Sequence, residues 1–156
     1  MNDIQRKMIG HAALIMLVGF LAGVGLLISL LGGVELVPGS IVPVALFGET
    51  AGWVRAHVGG MLNAILIIVV ALLLPVLKVP DRMAGRLSWM LVGTGWANTL
   101  FYWAALVSAN RALTFGPNRF GEGGWAAAVG LAPALIFVIV SIIAFVLIAR
   151  QAFSKP

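Results

Sequence analysis

The sequence predicts an all-α integral membrane protein, a four-helix bundle forming one membrane domain over residues 1–156, with both termini cytoplasmic. Three observations lead there. Of the 156 residues, 62% are hydrophobic and only 10% are charged, too little charge to cover a soluble domain. The apolar residues gather into four long runs. Lys and Arg fall unequally on the segments between the runs, as they do in membrane proteins of fixed orientation.

The first run covers about residues 9–31. Some 23 helical residues reach roughly 34 Å, enough for a hydrocarbon core of about 30 Å. A secretory signal is the rival reading. The run is longer than a signal's apolar core, and Gly32-Gly33-Val34-Glu35 is a poor cleavage site, so a retained span is predicted. Gly19 and Gly23 within it form a GxxxG, a weak signal for close helix approach. The second run, about 56–77, ends at Pro75 and Pro80. The third covers about 87–107 and the fourth about 125–149, where Pro133 predicts a kink.

The connections set the orientation. The N-terminus, the short turn after the second run and the C-terminus carry Arg6, Lys7, Lys78, Arg82, Arg86, Arg150 and Lys155. The two longer loops, Gly32 to Arg55 and Ser108 to Gly124, carry Arg55, Arg111 and Arg119. Seven against three places the termini inside. Trp53, Trp103 and Trp125 then form an aromatic belt on the outer side.

Composition narrows the chemistry. With no cysteine there is no disulfide and no thiolate. A net charge of +5 without a basic, aromatic-interleaved stripe speaks for lipid headgroups and against nucleic acid. No Asp or Glu lies at mid-membrane, which argues against a proton-coupled exporter. The polar residues at depth are few: His11 opens the first span, His57 and Asn63 the second, and Thr94, Asn98 and Tyr102 follow at i, i+4, i+8 on the third. That spacing predicts one helical stripe.

His57 has two readings. One is an interfacial histidine bonded to a loop carbonyl, the simpler case for a lone imidazole. The other is a ligand. Two histidines, no cysteine and few carboxylates make a four-ligand zinc site hard to build, whereas haem needs one axial nitrogen and an apolar slot. Thr94 and Asn98 also have a plain structural reading, as hydrogen bonds between helices. Tyr102, the single tyrosine, can donate to a substrate oxygen.

Particular strings go further. Arg6-Lys-Met-Ile-Gly-His11 opens the first span and Gly52-Trp-Val-Arg-Ala-His57, continuing to Asn63, the second. Gly95-Trp-Ala-Asn98 with Phe101-Tyr102 marks the third, and Asn110-Arg-Ala-Leu-Thr-Phe-Gly-Pro-Asn-Arg-Phe-Gly121 fills the last loop. Together, in order and over nearly the whole chain, these resemble the styrene oxide isomerases, membrane enzymes of bacterial styrene degradation.

The resemblance implies a multi-pass protein of the bacterial inner membrane, a homotrimer with haem b between subunits. His57 matches the family's axial ligand, and Asn63 and Tyr102 match its substrate-positioning pair. The implied reaction turns an aryl epoxide of the styrene oxide type into an aldehyde of the phenylacetaldehyde type. Ferric haem serves as the Lewis acid, with a 1,2-hydride shift and no net redox change. Arg55, two residues from His57, is the candidate partner for the haem propionates, with Arg111 and Arg119 on the same side of the membrane. Thr94 stands where the family member compared carries an aspartate, a difference that bears on substrate preference and rate, since threonine carries no charge. Two other functions stay open: a non-catalytic haem protein for electron transfer or haem carriage, with His11 as the other available histidine, and a small transporter of apolar compounds.

Overall fold

The computed structural model describes residues 1–154; Lys155, counted among the basic residues above, lies outside them. The chain is predominantly helical. Its order is α1 (Asp3–Leu31), β1 (Gly33–Val37), β2 (Ser40–Pro43), α2 (Thr50–Val76), α3 (Asp81–Val107) and α4 (Trp125–Phe153).

Each helix that follows an apolar run outgrows it, because polar end groups continue the backbone ladder past the apolar stretch. α1 begins six residues before its apolar run, at a capping box: Asn2 Oδ1 accepts from the Gln5 amide and Gln5 Oε1 from the Asn2 amide, both at 2.9 Å. α2 starts at Thr50 rather than Ala56, with the Gly52 amide donating to the Glu49 carbonyl. α3 starts at Asp81, after the N-cap residue Pro80, whose carbonyl accepts from Met83 and Ala84. α4 runs unbroken through Pro133 to Phe153.

The all-α expectation needs one correction. The first long loop contains an antiparallel hairpin, β1 paired with β2. Its turn holds Pro38 and Gly39, the latter at φ +82°, the pairing that a type II turn favours. Glu35 Oε1 closes it by accepting from the Gly39 amide at 2.6 Å.

Three helices, α1, α2 and α4, are long and apolar enough to cross a membrane. Their outward side chains, such as Leu17, Leu62 and Ile139, are bare and apolar, a surface suited to lipid. α3 has the length but carries Thr94, Asn98, Thr99 and Tyr102, and charged residues in its opening turns. Its position accounts for this: α3 is the helix that touches all three others. Polar groups there meet protein.

In lipid, helices associate through close packing and hydrogen bonds, not through expulsion of water. α1 and α2 meet glycine to glycine. A Cβ built on Gly60 would lie 3.1 Å from the Gly19 Cα, so neither position tolerates a side chain without separation of the helices. The GxxxG of α1 is therefore part of this interface. At the basic end, Pro75 has no amide hydrogen and frees the Ala71 carbonyl four residues earlier. The Gln5 side chain, 6% exposed, donates to it at 2.8 Å. Gln151 of α4 similarly reaches the Leu77 carbonyl at the end of α2, at 3.0 Å. These bonds gather the start of α1 and the ends of α2 and α4 at one end of the bundle. Two apolar clusters fill the interior, one around Met8, Ile15, Ile67 and Leu87, the other around Ala22, Trp53, Ala56 and Leu106.

The last loop is knotted on Asn110, which is completely buried. Its Oδ1 accepts from the Ser108 hydroxyl and the Ala112 amide, and its Nδ2 donates to the carbonyls of Thr114 and Gly116. Residues 111 and 112 take positive φ beside it, and Arg111 is thereby aimed at Glu49, with which it forms an ion pair.

Candidate active site

His57 sits two turns into α2, half-buried against α1. Its Nδ1 lies 2.9 Å from the Gly19 carbonyl oxygen. A carbonyl only accepts, so Nδ1 carries the proton and Nε2 keeps its lone pair. This is how proteins orient an imidazole that ligates a metal. The ring lies where a Gly23 side chain would be, since a Cβ there would fall 2.8 Å from both Cε1 and Nδ1. Half of the simpler reading holds: the histidine does bond a carbonyl, but one belonging to a neighbouring helix and not to a loop.

Asn63 of α2 and Tyr102 of α3 lie at neighbouring levels of the α2–α3 interface. Tyr102 lies over Gly59; a Cβ on that glycine would fall 3.0 Å from the phenol oxygen. One turn further, Asn98 Nδ2 donates to Asn63 Oδ1 at 3.1 Å. The Asn63 Nδ2 is buried and has no partner among the described residues. A buried donor left unsatisfied costs about 1–3 kcal/mol, so its retention marks a position with a use. The Trp103 indole nitrogen is a second buried donor without a partner, behind the Trp53 ring. Nothing in the sequence marks it beyond an aromatic near a span end.

The predicted stripe on α3 divides. Asn98 and Tyr102 face α2, whereas the Thr94 hydroxyl, 7% exposed, donates to the Met90 carbonyl at 2.7 Å and lies 3.4 Å from the Phe137 carbonyl of α4. Each i+4 step advances about 40° around the helix, so eight residues turn a side chain by roughly 80°. Thr94 serves the α3–α4 contact and stands apart from the other two.

Arg55 does not stand beside His57. Two residues along a helix turn a side chain by about 200°, and Arg55 lines a cleft of about 460 Å³ on the other side of α2, with Glu49, Gly52, Leu106, Ser108 and Arg111. Asn63, six residues from His57, is about 120° away around the same helix. Asn63 bonds Asn98 of α3 and Arg55 shares its cleft with Leu106 of α3, so both lie toward α3, whereas His57 lies against α1. Arg119 lies 4.6 Å from the Phe120 ring centre, which also stacks under Arg111 at 4.0 Å. His11 accepts from Trp96 Nε1 at 3.2 Å. It is eight residues from Gly19, about 12 Å along α1, too far to reach an iron held by His57 of the same chain.

These residues fit a haem of one protein ligand: one imidazole nitrogen free and oriented, no second histidine in reach, and two arginines at the loop end. Among the described residues no group of three His, Cys, Asp or Glu gathers to hold a bare metal ion.

The sequence itself matches known proteins. Residues 4–153 match the family model described as styrene oxide isomerase. A protein of Pseudomonas fluorescens named styrene-oxide isomerase is 41% identical over 152 residues, covering 97% of this chain and 90% of the relative. The chain belongs to the styrene oxide isomerase family.

Proposed function

We propose that this protein isomerises an aryl epoxide of the styrene oxide type to the corresponding aldehyde, in the inner membrane of a bacterium, with haem b held by His57. The carrying observation is the bond of the His57 Nδ1 to the Gly19 carbonyl, an arrangement that leaves Nε2 to serve as the ligand atom. Bound ferric haem would supply a Lewis-acidic iron for the epoxide oxygen. The chain's own groups do the rest. Tyr102 and Asn63 donate to the same oxygen and orient the ring opening. The benzylic C–O bond breaks because the aryl group stabilises the developing cation. A 1,2-hydride shift then gives the carbonyl, with no net redox change. Apolar walls hold the aryl ring and exclude water, which would divert the cation to a diol.

The reading extends to assembly. His57 occupies one flank of α2, and Asn63, Tyr102 and Arg55 the other. One haem meets both sets when it lies between two copies, with His57 from one and the donor pair from the next. A closed ring of three such contacts is the homotrimer that the family resemblance implies. Arg55 and Arg111 at the loop end are the cations for the propionates. We also propose that α3 crosses the membrane with the other three helices, both termini facing the cytoplasm.

Membranes containing the protein, incubated with styrene oxide, should form phenylacetaldehyde. The purified protein should carry a ferric Soret band that His57→Ala abolishes. Protein without haem, or haem without aldehyde, overturns the proposal. A bis-histidine six-coordinate spectrum would favour electron transfer instead, a reading that the Trp96 bond and the distance of His11 oppose.

A further inference from the structure

We propose that Asn98 is a positioning residue: through its bond to Asn63 it holds the Asn63 amide with Nδ2 turned toward the substrate oxygen. The inference rests on the reading of Asn63 as a donor to the epoxide.

A terminal amide has two orientations, related by a half-turn of a soft torsion. One presents N–H to the site and the other presents C=O. An epoxide oxygen and an aldehyde oxygen only accept. An amide turned the wrong way sets oxygen against oxygen, so the donor side must be selected before substrate arrives. The one hydrogen bond made by the Asn63 side chain comes from Asn98 Nδ2, at 3.1 Å. That bond commits Oδ1 to α3 and leaves Nδ2 buried and unpartnered.

The selection is enforced across two helices. On α2, Gly59 and Asn63 are one turn apart; on α3, Asn98 and Tyr102 are one turn apart. Tyr102 packs into the space over Gly59 and fixes the helix separation at that level. Asn98 then meets Asn63 at hydrogen-bond distance on the next level. Thr94, a further turn along α3, bonds toward Phe137 of α4 and takes no part. Tyr102 and Asn63 therefore arrive as a pair of donors, and Asn98 acts through the second of them without touching substrate.

A double-mutant cycle tests this on the purified holoenzyme, with turnover of styrene oxide and haem content per chain measured together. Asn98→Leu should lower kcat about tenfold to a hundredfold with haem content unchanged. In the Asn63→Leu background, Asn98→Leu should cause no further loss, because the group it orients is gone. Losses that multiply would show Asn98 acting on its own and would overturn the proposal. So would full kcat in Asn98→Leu beside a low kcat in Asn63→Leu. Full kcat in Asn63→Leu would overturn the reading of Asn63 itself, and this inference with it. Should Asn98→Leu fail to fold, Asn98→Asp decides. Its carboxylate only accepts and turns the Asn63 amide over, whereas its protonated form donates as the parent amide does. Turnover of Asn98→Asp should be low at neutral pH and rise as pH falls, a limb absent from the parent profile; full activity at every pH overturns the proposal.

Discussion

At the scale of single residues, the site depends on two side chains occupying space that glycine leaves. Gly23 gives room to the His57 ring. In Gly23→Ala the new methyl meets ring atoms at 2.8 Å, and the imidazole must leave its bond to Gly19. Overpacking of this kind costs about 1–3 kcal/mol, so haem content should fall by roughly an order of magnitude, as read from the Soret absorbance of purified protein. Tyr102 is different: its ring fills space over Gly59 while its hydroxyl makes no bond to protein among the described residues. Tyr102→Phe keeps the ring. It should lower kcat by more than tenfold, the scale of a lost donor to developing negative charge, and leave haem content intact. Equal loss of both would make the phenol structural.

At the scale of elements, the irregularities are matched in pairs. Pro75 removes a rung from α2 and Gln5 of α1 replaces it. Gln5→Leu keeps the bulk and strips the donor, leaving the Ala71 carbonyl orphaned. That should destabilise the bundle by about 1–3 kcal/mol, seen as a lower thermal midpoint in detergent with the haem spectrum unaltered at low temperature. Hydrophobic runs are legible in a sequence because they are contiguous, and so the α-helices were. The hairpin was not: Gly33 to Pro43 is mostly apolar, broken only by Glu35 and Ser40, without the sustained alternation that marks a half-buried strand, although Pro38-Gly39 is a turn signal. Of the candidate site, His57, Asn63 and Tyr102 stood out in the sequence by residue type and family pattern. Arg55 was chosen for its closeness to His57 in sequence, and closeness in sequence is not closeness around a helix. The buried Trp103 donor and the Gly23 and Gly59 spaces depend on which helices become neighbours, which no local pattern states.

At the scale of the whole molecule, polarity follows neighbourhood. α1, α2 and α4 turn apolar side chains outward, and α3, which contacts all of them, can carry asparagine, threonine and tyrosine at depth. The orientation proposed here is open to a direct test, because the chain has no cysteine of its own. Glu122→Cys in the last loop should react with a membrane-impermeant maleimide from outside intact spheroplasts. Ser154→Cys should react only after lysis. The opposite labelling would invert the topology and place the last loop in the cytoplasm.

The Gln5–Ala71 bond also bears on how the protein is made. It joins α1 to the far end of α2, the helix that leaves the ribosome after it. A span with an uncovered carbonyl is a poor guest in hydrocarbon, and this one finds its donor already waiting. The α1–α2 pair can therefore close, with the His57 ring seated against Gly19 and Gly23, before α3 and α4 are synthesised. Biogenesis then has a natural halfway point, an inserted helical hairpin with the His57 ring already seated, to which α3 is added afterward.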